Sequence, residues 1–300
     1  MLGVSDKSWL VDMVCATSRA ADHAPDIGLP QSDGDSTYSA YFGLGHHIRL
    51  HDRPGVFKVS LAGMSLGAYL LRGLEAHEIK GRILDLGTGS GVLALLLRGM
   101  GADDIVATDI AEDAIALAQD NERLNFGVPL IQFSTADLFD GLPAGSRYDT
   151  LIFNPPGWRT PSPHVLAELD RICNQCDMAP RAMFYGDEVL LRFLRELPFH
   201  LHPRGRALLG LNSLVGIRDV LRRYHAEHPR GAPLRLRLLE RHSLPLLFYS
   251  DGWRKAENAL RAEFAHWRDH HGAAYTTGSQ GRLYWSYEVV ECSLQPSARE

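Results

Sequence analysis

A chain of 300 residues, 45% apolar and 22% charged, has the material for a sizeable core in one large domain or two. Its net charge of −5 argues against a surface built to neutralise nucleic-acid phosphate, and its four cysteines are too few for a disulfide framework. No apolar run approaches the ~20 residues of a membrane helix, and the N-terminus lacks a basic patch followed by an apolar stretch, so a cytoplasmic protein is expected.

In chain order, residues 5–21 place Trp9, Leu10, Met13, Val14 and Ala16 at helical spacing, and the Pro-, Gly- and Ser-containing stretch 22–36 reads as a linker. From Tyr38 to Val59 the period changes to alternation around Gly43 and Gly45, the pattern of a hairpin. There His47 and His51 share a face and His46 opposes them; with no carboxylate or cysteine to complete a set, no metal site is expected. Cys173 and Cys176 likewise lack a second ligand pair, and the arginines between Arg204 and Arg237 read as a solvated face.

A helix over Leu66–His77 leads into a regular alternation. Strand Ile83–Leu86, helix 92–100, strand Ile105–Thr108, helix 112–125, strand Leu130–Ser134 and strand Thr150–Asn154 follow one another, which is the βαβ pattern of a parallel, doubly wound sheet. Helices are expected at 164–173, 187–197 and 216–227. Strand material falls at Gly205–Leu211, Leu234–Glu240 and Leu246–Tyr249, and Leu283–Cys292 is rich enough in β-branched and aromatic residues for a final strand. Residues 253–271 repeat Trp253, Ala256, Leu260, Phe264 and Trp267 at spacings of three and four, an amphipathic helix with His266 and His270 on its surface.

Chemistry-bearing residues gather at the carboxyl ends of the first four strands of that alternation. Asp85 is followed by Gly87, Thr88, Gly89 and Gly91; Asp109 and Ile110 end the second strand; Asp137 and Leu138 follow the third; Asn154-Pro155-Pro156-Gly157-Trp158 ends the fourth. The glycines let a ligand lie against bare backbone at a helix start. Taken alone, Gly89-x-Gly91-x-x-Ala94 with an acid some distance on also satisfies a dinucleotide fingerprint. An acid after the third strand suits an adenine amino group, and Asn-Pro-Pro has no role in hydride transfer.

This set resembles the class I S-adenosylmethionine-dependent methyltransferases of the Asn-Pro-Pro branch. Phe42-Gly43-Leu44 and Pro54-Gly55-Val56-Phe57 are similar to the HemK-type glutamine methyltransferases and the small-domain ribosomal RNA guanine methyltransferases, so the resemblance covers roughly residues 40–215. It implies a Rossmann-like, mostly parallel seven-stranded sheet with helices on both faces. Residues 1–60 would be a helix and hairpin extension that walls the substrate, and 61–300 the catalytic domain with an inserted helix at 253–271.

The resemblance also implies site roles. Asp85, Gly87, Thr88, Gly89 and Gly91 would hold the methionine end of S-adenosylmethionine, Asp109 and Ile110 the ribose side, and Asp137 and Leu138 the adenine, S-adenosylhomocysteine being the product. Asn154 and the Pro155 carbonyl would accept from an N–H₂ group, with Pro156 stiffening the loop. Two departures stand out. Gly157 occupies the usual aromatic position, leaving Trp158 to take over stacking, and the segment Lys58–Leu66 lacks the arginine and acid of the glutamine methyltransferases.

The acidic average and the absence of an RNA-binding appendage favour a small-molecule nitrogen (amino acid, guanidino compound or natural-product amine) as acceptor. The alternatives are a protein glutamine, an exocyclic amine of rRNA or tRNA, and a catalytically silent cofactor-binding module.

Overall fold

The computed structural model describes residues 37–53, 55–172, 183–247 and 254–295. The expected helix 5–21, the linker 22–36, Cys173, Cys176 and Trp253 lie outside the described residues. Strand β1 (Thr37–Gly43) pairs antiparallel with β2 (His46–His51), with Tyr38 opposite Leu50 and Ala40 opposite Ile48. Alternation buries Ala40, Phe42, Ile48 and Leu50, as the sequence pattern requires.

Helix α1 spans Leu61–Gly73, beginning earlier than the apolar periodicity suggests, because the Ser60 hydroxyl accepts from Gly63 N–H and caps the first turn. It stops at Gly73, and a separate turn, α2 (Ala76–Ile79), starts with a capping box between Glu75 and Glu78.

Next come β3 (Ile83–Leu86), α3 (Val92–Gly99), β4 (Ile105–Asp109), α4 (Glu112–Phe126), β5 (Gln132–Thr135) and β6 (Tyr148–Phe153). Helices α5 (Pro163–Ile172) and α6 (Gly186–His200) precede β7 (Leu201–Asn212), α7 (Ile217–Ala226) and β8 (Leu234–Pro245). The chain ends with α8 (Glu257–His271), β9 (Tyr275–Thr277) and β10 (Leu283–Leu294).

The main sheet has the order β5-β4-β3-β6-β7-β10-β8. Its first five strands are parallel, and β10 runs antiparallel to both β7 and β8. The expected seven strands are present with an eighth, β9, too short to announce itself in sequence. It pairs with β10 at Leu283–Trp285, beyond the Tyr287–Ser293 stretch that pairs with β7. β8 runs on to Pro245, past the expected end at Glu240, while Leu246 and Leu247 are outside it and the rest of the expected segment Leu246–Tyr249 lies outside the described residues.

Every residue of β3 is buried, the signature of a central parallel strand covered on both faces. Leu84, Leu86, Leu151, Phe153, Leu209 and Leu211 form one core with Phe193 and Leu194 of α6 and Val220 and Tyr224 of α7. The hairpin is tied to α4 by side-chain amides: Arg49 N–H donates to Asn125 Oδ1 at 2.9 Å and His51 N–H to Asn121 Oδ1 at 2.8 Å. Residues 37–51 therefore sit in the same compact unit as the sheet.

A second core lies past the ends of β6 and β7. The expected apolar stripe of α8 is buried at Ala256, Leu260, Phe264 and Trp267, against Trp158, Val165, Leu169 and Phe184. Within it Glu263 accepts from Ser162 N–H (2.6 Å), Ser162 Oγ (2.8 Å) and Trp267 Nε1 (3.0 Å). Helix α8 thus holds the entry to α5. Among the described residues no helix is long and apolar enough to cross a membrane.

Glu263→Ala would leave those donors without their acceptor, at a cost of about 2–4 kcal/mol. Thermal denaturation should show a Tm several degrees lower; an unchanged Tm would mean that the carboxylate does not anchor the inserted helix.

Candidate functional site

The parallel register sets the rim of the site. Leu86 pairs with Phe153 and Thr108 with Ser134, so the segments that follow β3, β4, β5 and β6 emerge side by side. Gly87, Gly89 and Gly91 have φ of +63°, +55° and +81°, a left-handed run that only glycine adopts cheaply. At Gly91 a Cβ would also lie 2.9 Å from that of Ala118, while at Gly89 it would meet no heavy atom within 4 Å.

Hydrogen bonds fix the loop to its neighbours. Thr88 N–H donates to Thr108 O at 2.8 Å, and Thr88 Oγ1 donates to Asp85 Oδ2 at 2.6 Å. Gly89 N–H donates to Asp109 Oδ2 at 2.8 Å, and Ala111 N–H to Asp109 Oδ1 at 3.0 Å. Each oxygen of Asp109 keeps a second lone pair, the capacity a vicinal diol needs. Ile110, next to it, is 68% exposed.

Ala136 N–H donates to Asp109 O at 2.9 Å, which brings the segment after β5 to the same rim. Asp137 there accepts from Arg192 Nη1 of α6, at 3.2 and 3.0 Å to its two oxygens. Leu138 is buried and left-handed at φ +54°.

Asn154 is the first residue past β6, and its Oδ1 accepts from the Tyr287 hydroxyl of β10 at 2.9 Å. The glycine at 157 has a steric cause: a Cβ there would lie 2.5 Å from Asn212 Nδ2. At Gly186 a Cβ would lie 2.0 Å from the Pro156 carbonyl oxygen. The Asn-Pro-Pro-Gly loop is pressed so closely on β7 and α6 that no aromatic fits at 157.

Trp158 does not replace that aromatic. It is 4% exposed and turned into the second core, with its ring edge-on to Phe184 at 5.3 Å and Phe264 at 5.2 Å. The sequence-based expectation of stacking by Trp158 is corrected to anchoring of the loop from below. Arg159, also buried, donates to Asp219 at 2.7 Å and lies 3.4 Å from Asp187, which in turn accepts from Thr160 N–H.

Asp85, Thr88, Gly89 and Asp109 are joined directly by hydrogen bonds, and Asn154 stands across the rim on the adjoining strand. Sequence reasoning missed Tyr287, Arg159 and Arg192. Tyr287 sits in a strand whose aromatics look like ordinary β-formers, and no motif or spacing singles out the two arginines. Half-buried Trp285 packs against the second core, its ring 5.9 Å from that of Tyr287. Among the described residues no group of His, Cys, Asp and Glu side chains could hold a metal ion.

A family model described as Methyltransferase small domain matches residues 47–169. A putative protein N5-glutamine methyltransferase of Methanocaldococcus jannaschii is 31% identical over 139 residues, covering 46% of this chain and 66% of its own. A ribosomal protein uL3 glutamine methyltransferase of Xanthomonas campestris is 33% identical over 125 residues, 41% of this chain and 39% of that one. A release factor glutamine methyltransferase of Bacteroides thetaiotaomicron is 35% identical over 150 residues, 47% and 50% respectively. The chain thus spans between 39% and 66% of the length of these relatives.

The electrostatics of the loop turn on Asp85. Burial pushes its carboxyl up to about 7 from the usual 3.8, against the opposing pull of the Thr88 hydroxyl and the Ala94 N–H, while Asp109 adds to the rise. A raised acid favours the folded state while protonated. Its contribution is therefore fully present below about pH 4 and lost as pH climbs through 7. Asp85→Asn removes this loss, so its Tm minus that of the unsubstituted protein should rise between pH 5 and pH 8 in thermal melts without added ligand; a difference that falls over that range would contradict the assignment.

Proposed function

Residues 47–169 belong to the methyltransferase small-domain family, and from that premise we propose that the chain transfers a methyl group from S-adenosylmethionine to the carboxamide nitrogen of a protein glutamine. Composition favours a small-molecule acceptor. The relatives are named for protein glutamine, and the macromolecular alternative takes precedence on that ground.

The observation that carries the reading is the position of Asn154 immediately past β6, across the rim from the glycine loop, with one lone pair of Oδ1 uncommitted. The residues present fit the methyl donor. Bare backbone at Gly87 and Gly89 and the Asp85 carboxyl would hold an amino-acid end, Asp109 a ribose diol, and Ile110 with Asp137 and Leu138 an adenine. Bound there, the donor supplies a methyl group on a sulfonium, which leaves as a neutral thioether.

The chain's own work is alignment. Asn154 Oδ1 and the Pro155 carbonyl accept the two N–H hydrogens of the incoming carboxamide, which sets the plane of the nitrogen and excludes water from it. Nitrogen gains the methyl and releases one proton to solvent. The two prolines keep the acceptor pair from swinging, since each fixes φ and leaves only ψ free.

Incubation with radiolabelled S-adenosylmethionine and separate pools of total RNA, total protein and small-molecule extract tests this. Label should enter protein and be recovered as N-methylglutamine. Asn154→Ala should slow incorporation roughly a hundredfold with S-adenosylhomocysteine affinity held. Label confined to RNA or to small molecules would displace glutamine as the acceptor, and binding without transfer to any pool would point to a silent module.

A further inference from the structure

Asn154 is an asparagine whose usefulness depends on which end of its carboxamide faces the reacting nitrogen. Oxygen accepts and nitrogen donates, and the two differ only by a half-turn of the terminal torsion. A group that must present an oxygen therefore needs something to stop that half-turn. We propose that Tyr287 is the positioning residue that does so, and that Gly210 is the opening through which it acts; this rests on the proposed role of Asn154 in addressing the acceptor nitrogen.

The geometry comes from the sheet register. Tyr287 on β10 pairs with Asn212 on β7, and Phe153 on β6 pairs with Leu209 on β7. By alternation Asn154, Gly210, Asn212 and Tyr287 share one face of the sheet. β7 lies between β6 and β10, so Tyr287 reaches Asn154 only by passing over β7. It passes over Gly210: a Cβ there would lie 1.8 Å from the Tyr287 hydroxyl oxygen and 2.6 Å from Asn154 Oδ1. Any side chain at 210 would break the contact. The glycine is not in a left-handed conformation, so clearance and not backbone freedom explains it.

The pair is oriented as well as adjacent. Tyr287 is 1% exposed, and the edge of Trp285 packs at 90° to its ring. Burial pushes the Tyr287 phenol well above its ordinary range, so it keeps its proton. Among the described residues the hydroxyl has one hydrogen-bond acceptor, Asn154 Oδ1, at 2.9 Å. Turning the carboxamide would present an N–H₂ to the phenol and strand the hydroxyl hydrogen in the core, which the surroundings do not compensate. Oδ1 is held toward Tyr287 and offers its second lone pair to the acceptor nitrogen.

The same hydrogen bond draws electron density from Oδ1 and makes it a weaker acceptor. Orientation and acceptor strength therefore pull in opposite directions, and the sign of the effect on rate distinguishes them. Tyr287→Phe deletes the hydroxyl and keeps the ring. Single-turnover transfer of labelled methyl from S-adenosylmethionine to the total-protein pool should fall about tenfold, with S-adenosylhomocysteine affinity by calorimetry within about twofold. In an Asn154→Ala background the same substitution should have no further effect, because the group it positions is gone.

A Tyr287→Phe rate equal to or above that of the unsubstituted protein would overturn the proposal. So would an equal loss in the Asn154→Ala background, which would mark a general structural role. Full activity in Asn154→Ala alone would instead overturn the parent reading, and this one with it. Gly210→Ala supplies a further arm: an unreduced rate in a folded protein overturns the device.

Discussion

Close approach of three backbones at the carboxyl end of β6 is the constraint on which the rest of this structure depends. At Gly157, Gly186 and Gly210 a single added carbon would lie 2.5 Å or less from a neighbouring side chain or carbonyl. Without those clearances the Asn-Pro-Pro loop could not rest on β7 and α6, and Tyr287 could not span β7. The missing aromatic after Pro156 is a consequence of the same crowding.

The second core follows from that closeness. A loop pressed onto the sheet must be held from its far side, and Trp158 supplies the contact by turning inward against Phe184 and Phe264. Helix α8 completes the core and reaches back through Glu263 to Ser162, while buried Arg159 ties the next residues to Asp187 and Asp219. Helix α8 therefore braces the loop that carries Asn154. On the opposite side of the rim the loop after β3 is held by main-chain bonds to β4 and by Asp109, so the two halves of the site are fixed by different means.

Much of the fold was legible because its determinants are local. Ile83–Leu86, the three glycines and the helix after them form a strand-loop-helix that no other period fits, and the βαβ alternation that follows fixes a parallel sheet. Asp85, Asp109, Asp137 and Asn154 stand out in the sequence because each falls at or near a strand end, where such sheets bind ligands. The start of α1 was misplaced for want of weight on a single capping serine, and β9 is too short to show a period. Trp158 was misjudged because sequence gives its distance along the chain from Asn154 and not the direction its ring takes.

The sequence by itself determined the order of elements, the glycine loop and the family resemblance, since backbone preference and hydrophobic period act over a few residues. Only the tertiary structure decided that Tyr287 stands behind Asn154, that Gly210 makes room for it, and that Trp158 is core. Those facts depend on the register of β6, β7 and β10, which pairs residues more than fifty positions apart and brings Tyr287 to Asn154 across a separation of 133. Local propensity carries no record of such a pairing.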